Sequence, residues 1–466
     1  MRRRGTGRGT ALRRTGRRLA VLLVLLLVAA CTGGGAGDSA TPVADRPGDI
    51  VVASGRDVTG KNGIRQQLID AWNRQQEKAG TGYRARLVEL PGSADEQRSQ
   101  LLGALQSGSA AYDVVNLDVT WVPEFADAGL VRRLPDGVLD GDVIKSVADT
   151  ARWDGKVYSV PFNSDVGLLY YRRDHLRAVG VPQTDLSAGV DRAWLQETIQ
   201  SLENQPPKGY EQGWTTQLAP YEGRTVNAVE AFASATPDLA LIDADGRYVA
   251  SAAQLTEGIA ELRQRTGPPY TLQDAVHSDE AASLADFAAG RTAFLRHWPY
   301  AYRTLHQSFT PEQLGVAPLP GRAVLGGQNL AVTAASQRAP KAAELIGFLT
   351  GKESERCLLD AGFAATRTSA YDDDAVKCTL AASTPSASPT GERADRMPRD
   401  KGRPAYARRI LLPALQAAVQ RPRTPLYGAF TQTFTAQLGA LFGDRPPSDA
   451  QLAERLHEAL RKALPD

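Results

Sequence analysis

The chain has 466 residues, 42% of them hydrophobic, with 54 Lys and Arg against 52 Asp and Glu. Eight arginines and no acid fall within residues 1–30, so the remainder carries 46 basic against 52 acidic residues, a formal charge of −6. That balance leaves no basic stripe for a nucleic acid, and RNA-binding aromatic motifs and zinc-finger spacings are absent as well.

Arg2, Arg3, Arg4, Arg8, Arg13, Arg14, Arg17 and Arg18 precede an apolar run from Leu19 to Ala30. A spanning helix needs roughly 20 apolar residues, so this run reads as a secretory signal peptide, residues 1–30. Leu27-Val28-Ala29-Ala30-Cys31 has the form of a lipobox, which makes Cys31 the expected lipidated (palmitate-bearing) first residue of the mature chain. Cleavage after Ala30 by an ordinary signal peptidase, or an uncleaved anchor, are the alternatives. Residues 31–48 then supply a flexible linker, rich in glycine and poor in anything a core would accept. An extracytoplasmic body tethered to the outer face of the cell membrane is the expectation.

Ile50-Val51-Val52-Ala53 reads as a buried strand, and Ile64, Leu68, Ile69 and Trp72 recur at helical spacing after it. Arg84–Leu90 reads as a second strand and Leu101, Leu102 and Leu105 as one helix face. Asp113–Asp118 makes a third strand. This strand–helix order predicts a mainly parallel sheet covered by helices, with ligand outside the carboxyl ends of its strands. Lys156–Phe162 and Leu168–Tyr171 are extended pieces around the polar stretch Asn163-Ser164-Asp165-Val166-Gly167, a pattern suited to a crossing between lobes. Residues 174–235 read as helices and loops, Leu284–Ala289 as a helix ended by Gly290, and Thr292–Trp298 as a strand with an aromatic at its end. Residues 381–404 read as a long exposed loop, and Leu452, Leu456, Leu460 and Leu464 as the core stripe of a last helix.

With Cys31 assigned to lipid, Cys357 and Cys378 remain, and outside the cytoplasm such a pair predicts a disulfide. Two buried thiols are the alternative; no histidine lies near enough to suggest metal. Walker A, His-Glu-x-x-His, nucleophile-elbow and penicillin-binding motifs are absent, so neither a cofactor nor a metal is expected. A glycosidase needs only two suitably spaced acids, which leaves a surface-anchored carbohydrate-active enzyme open.

The chain does carry carboxylates, amides, guanidinium groups and aromatics at expected strand ends. Such groups bond vicinal hydroxyls in pairs and cover the apolar face of a pyranose. Bland readings stand beside this one: Asp118 suits a helix cap, Asp165 loop amides and Trp298 a core.

Tyr112–Trp121 with Glu124-Phe125-Ala126 and Ala128-Gly129-Leu130 resembles the first-lobe signature of extracellular solute-binding proteins of sugar ABC importers. Val160–Arg172 resembles that family's hinge strand. Phe294–Ala301, Leu325–Val332 and Arg421–Pro425 extend the similarity, which runs from about residue 50 to 442 and is nearest to trehalose/maltose-binding lipoproteins. The resemblance implies an α/β fold of two lobes, the type II periplasmic-binding-protein fold of maltose-binding proteins, with a hinge and an interlobe ligand cleft. Residues 49–163 and 325–352 would form the N-terminal lobe, and 164–324 and 353–466 the C-terminal lobe.

Carried over by position, it implies ligand contacts from Asp57, Arg98, Asp118, Asn163, Asp165, Trp298, Gly327, Gln328 and Arg421. Gln328 is a departure, because disaccharide binders of this kind usually have a second tryptophan there. An amide in place of a ring leaves the identity of the sugar open, and with it a non-sugar solute. The implied role is non-enzymatic: a monomeric receptor that closes on a di- or oligosaccharide and delivers it to a membrane permease driven by a cytoplasmic ATPase.

Overall fold

The computed structural model describes residues 45–58, 63–380 and 395–464. The signal segment 1–30, Cys31, the linker up to residue 44 and residues 381–394 of the expected loop lie outside them. Strand β1 (Asp49–Gly55) lies parallel to β2 (Arg84–Leu90), in register from Asp49 opposite Arg84 to Gly55 opposite Leu90. Helix α1 (Ile64–Ala79) connects them and buries Ile64, Leu68, Ile69 and Trp72, the stripe its spacing predicts. Helix α2 (Ala94–Gln106) begins at a capping box, in which Ser93 and Glu96 satisfy each other's backbone amides. Strand β3 (Val114–Asp118) follows, parallel to β1, with Val114, Val115 and Leu117 fully buried.

Strand β4 (Val160–Val166) and strand β5 (Leu168–Arg172) are separated by Gly167 alone, so the polar stretch is itself strand. A Cβ on Gly167 would run into Glu230 Oε1, which its buried pair with Arg296 holds in place, so the close approach favours glycine. Strand β6 (Gln212–Thr215), helix α3 (Glu222–Ala235), helix α4 (Ala252–Thr266), helix α5 (Glu280–Ala288), strand β7 (Thr292–His297) and strand β8 (Leu314–Pro318) follow. The chain then returns as β9 (Leu325–Val332), continued by helices α6 (Ala339–Leu349) and α7 (Lys352–Asp360). Helices α8 (Tyr427–Leu438) and α9 (Asp449–Ala463) close the chain, and α9 buries Leu452, Leu456 and Leu460.

Two sheets result. The first has the order β2-β1-β3-β9-β4 and the second β8-β5-β7-β6. The first sheet is mixed, not mainly parallel as the sequence suggested: β9 runs antiparallel to both β3 and β4. The reason is connectivity, since β9 arrives from the second sheet instead of through a helix on the first. The first sheet also keeps the chain to Val166, and the cluster around α1 and α6 takes in Cys357, Leu358 and Phe363. Cys357 and Cys378 are joined in a disulfide at its edge. Within the expected loop 381–404, Arg403 is buried and pairs with Asp374 instead of lying in solvent.

Candidate functional site

A cavity of about 1380 Å³ opens at the carboxyl ends of β1, β2 and β3. Asp57, Glu89, Asp118, Trp121 and Gln328 line it from the first sheet, and Tyr221, Glu280, Trp298 and Tyr300 from the second. Strand ends bring these groups together because side chains there leave the sheet where the next loop turns away.

Its floor is built on Arg65, a residue the sequence reading passed over. Arg65 is 4% exposed. Nη1 donates to Ser54 Oγ and to the Gly55 carbonyl, each at 2.9 Å, and Nη2 to Asn163 Oδ1 at 3.1 Å and to Gln328 Oε1 at 2.7 Å. Burial lowers its pKa, and the negative charges of Asp57, Asp165 and Glu89 oppose that shift. Asn116 Nδ2 also donates to Gln328 Oε1, at 2.8 Å. Two donors on one oxygen fix the amide's orientation, so the Gln328 NH2 is the end left to address a ligand. Gln328 sits opposite Asp118 on one side and Asn163 on the other, beside a register shift in β9.

Gly327 has φ +119°, and a Cβ there would come within 2.5 Å of the Asn163 carbonyl. Its place is set by backbone geometry, and its carbonyl accepts the Val119 amide at 3.1 Å. Asp57 is buried at the start of α1, where Oδ2 accepts the Arg65 amide at 2.9 Å. Asp118 Oδ1 accepts from the Thr120 amide and hydroxyl at 2.9 and 2.8 Å and from Arg421 Nη2 at 2.8 Å. Asp118 thus makes a turn with Thr120 and does not cap the helix Val122–Asp127 with its side chain, and it lines the cavity.

Arg421 ties the two halves. Its Nη1 donates to Glu222 Oε1 at 2.6 Å, and Glu222 also accepts from Tyr427 and Thr431 of α8. Burial raises the Glu222 pKa against the lowering influence of Arg421. Asp165 is half-buried beside Gly326, with no hydrogen bond or ion pair to its carboxylate among the described residues. Burial pushes its pKa up to about 7; Arg65 works against the shift and Asp118 adds to it.

Trp298 follows β7, packed by one face against Arg296, whose guanidinium carbon lies 3.9 Å from a ring centroid. Its Nε1 donates to Glu280 Oε1 at 3.3 Å, and Tyr221 donates to Glu280 Oε2 at 2.7 Å. Arg98 stands apart from this group. It forms a fork with Glu124 and lies against Gly428 of α8, and like Asn163, Asp165, Gly327 and Arg421 it does not itself line the cavity. Arg65, Tyr221 and Glu280 are not signalled in the sequence because they belong to helix starts without a motif, and Tyr300 lies in the family-like stretch Phe294–Ala301 without having been singled out. Among the described residues no group of three or more His, Cys, Asp or Glu is placed to hold a metal ion, and no helix is long and apolar enough to cross a membrane.

Residues 68–384 match the family model for the bacterial extracellular solute-binding protein. The chain belongs to that family. Among relatives of this solute-binding protein, the "Probable ABC transporter-binding protein" of Deinococcus radiodurans is 27% identical over 318 residues, 65% of this chain and 73% of that one. The solved structure of maltose-bound MalE3 of T. maritima superposes with a TM-score of 0.71 at 23% identity, covering 89% of this chain and all of that one. The GacH receptor of Streptomyces glaucescens GLA.O, solved unliganded and with acarbose, gives 0.69 at 20% identity, covering 91% of this chain and all of that one. These superpositions establish the two-lobed α/β fold expected from the sequence. By family the chain is an extracellular solute-binding protein.

Proposed function

We propose that this solute-binding protein captures a di- or oligosaccharide of the trehalose or maltose type, held at the outer membrane face by lipid on Cys31, and passes it to a permease with a cytoplasmic ATPase. The observation that carries the reading is the cavity itself: about 1380 Å³, open to residues of both sheets, with carboxylates, an amide and aromatic faces converging on it. Asp57, Asp118, Gln328, Arg421 and Trp298 are assigned to sugar recognition, with Asn163 and Asp165 at the hinge and Gly327 setting the backbone.

The mechanism follows from where these residues sit. A ligand that touches Asp118 and Gln328 on one side and Trp298 on the other makes its full set of contacts only when the lobes are closed. That difference in affinity shifts the population toward closure. Gly167 and the segment pairing Ala323 and Leu325 with Val419 are the crossings about which the lobes would turn. The lipid and the linker keep the receptor near its permease.

Gln328 favours a second reading, a non-sugar solute, because its amide stands where a stacking ring is expected. Calorimetry with trehalose, maltose, longer glucans and monosaccharides separates the two. Stoichiometric binding of a di- or oligosaccharide without hydrolysis supports the proposal; product release would show an enzyme, and no binding by any sugar would refute the sugar reading.

A further inference from the structure

Among the described residues the charge lining the cleft is mostly negative. Asp57, Glu89, Glu96, Asp118, Asp279 and Glu280 face the cavity, and Arg56 is the one cationic residue that lines it among the described residues. Arg421 compensates Asp118, and Arg65 lies close enough to Asp57 and Glu89 for their charges to act on it. Glu89, Glu96, Asp279 and Glu280 form no ion pair among the described residues. Their hydrogen bonds come from neutral donors: the Asp57 amide to Glu89, the Ser93 amide to Glu96, the Ala282 amide to Asp279, and Tyr221 and Trp298 to Glu280.

The second-lobe wall adds a separate observation. Tyr221, Trp298 and Tyr300 line the cavity together with Glu280. Arg296, a cation beside that group, is stacked on Trp298 and neutralised by Glu230, with both side chains fully buried. Aromatic rings grouped around an uncompensated carboxylate form an environment suited to an ammonium group. A neutral sugar would satisfy the carboxylate lone pairs but leave the charge in place as closure brings Glu89 and Glu96 toward Glu280 and expels water between them.

Resting on the sugar-binding reading above, we infer that the ligand is a cationic sugar, an amino-sugar di- or oligosaccharide whose ammonium group sits against Glu280 among Tyr221, Trp298 and Tyr300. The Gln328 NH2 and Asp118 then address its hydroxyls on the opposite wall.

The test is calorimetry on the mature full-length chain with three matched disaccharide series, bearing hydroxyl, N-acetyl or free amine at the same carbon. The amine form should bind at least about tenfold tighter than its hydroxyl counterpart. That advantage should shrink as salt is raised, and Glu280→Gln should bring the ratio toward one. Equal or tighter binding of the neutral forms overturns the charge inference and leaves the sugar reading standing. A ratio unchanged in Glu280→Gln also overturns it. Binding by none of the three series overturns both.

Discussion

Arg421 joins Asp118 and Glu222: its guanidinium donates at 2.8 Å to the carboxylate at the end of β3 and at 2.6 Å to the carboxylate at the start of α3. One buried cation thus bridges the strand ends of the first sheet and a helix of the second. A second contact runs beside it, from the Glu222 amide to Asp95 Oδ2 at 3.2 Å.

Arg421→Met should leave Glu222 buried without its cation. Breaking a buried pair by removing one partner costs about 3 kcal/mol or more, read by chemical denaturation. Ligand affinity should fall by at least about tenfold in the same variant. Arg421→Lys should recover part of the stability, because a point charge replaces the fork but cannot serve both carboxylates equally. Unchanged stability in Arg421→Met would show that the bridge contributes nothing.

Gln328→Trp tests the departure from the disaccharide-binding pattern. If position 328 were only a lost stacking surface, the ring should restore affinity. The structure predicts the reverse: Arg65 Nη2 and Asn116 Nδ2 lose their shared acceptor, and stability should drop by about 1–3 kcal/mol with no gain in binding. Thermal unfolding and calorimetry on the same preparation check both halves.

Asp165→Asn should change the pH dependence of stability in a defined direction. Burial pushes the Asp165 carboxyl up to about 7, above the ordinary carboxylate value of about 4. Between these values the native state holds a proton that the unfolded state has released, so wild-type stability loses ground as pH rises from about 4 to about 7. The variant lacks that loss. The difference in unfolding free energy, variant minus wild type, should therefore grow through this window and level off above it; a flat difference would contradict the assignment.

Cys357→Ser removes a bridge that closes a sequence separation of 21 residues on the edge of the first lobe. In the chain-entropy view the loss is about 3 kcal/mol. Denaturation of the variant, or of reduced wild type, should show that loss. Ligand binding should persist where the fold does, since neither cysteine lines the cavity.

Much of the first lobe was legible in the sequence. The apolar spacing of α1 and the strand Arg84–Leu90 announce themselves through periodicity, and the four-residue spacing of α9 does the same for the last helix. Strands β6 and β8 did not, because Gln212–Thr215 and Leu314–Pro318 are short and alternate weakly. The mixed first sheet was hidden for another reason: the direction of β9 depends on the excursion through the second sheet, which no local pattern records. At the site, Asp118, Trp298 and Gln328 were found because they follow strand patterns or a family resemblance. Arg65 was not, since an arginine in an amphipathic helix reads as solvated until the helix start is seen to point at Gln328. Glu280 likewise reads as an ordinary first-turn acid of α5, and only the fold brings it to Trp298.

Sugar binding between the lobes of the cleft is decided by titration calorimetry of the mature chain against trehalose, maltose, maltotriose and glucose, run for wild type and Trp298→Ala. One site per chain for a di- or oligosaccharide is expected, with weaker or absent binding of glucose and loss of binding in Trp298→Ala at nearly retained thermal stability. No sugar bound by the wild type, or full affinity retained in the variant, would contradict it.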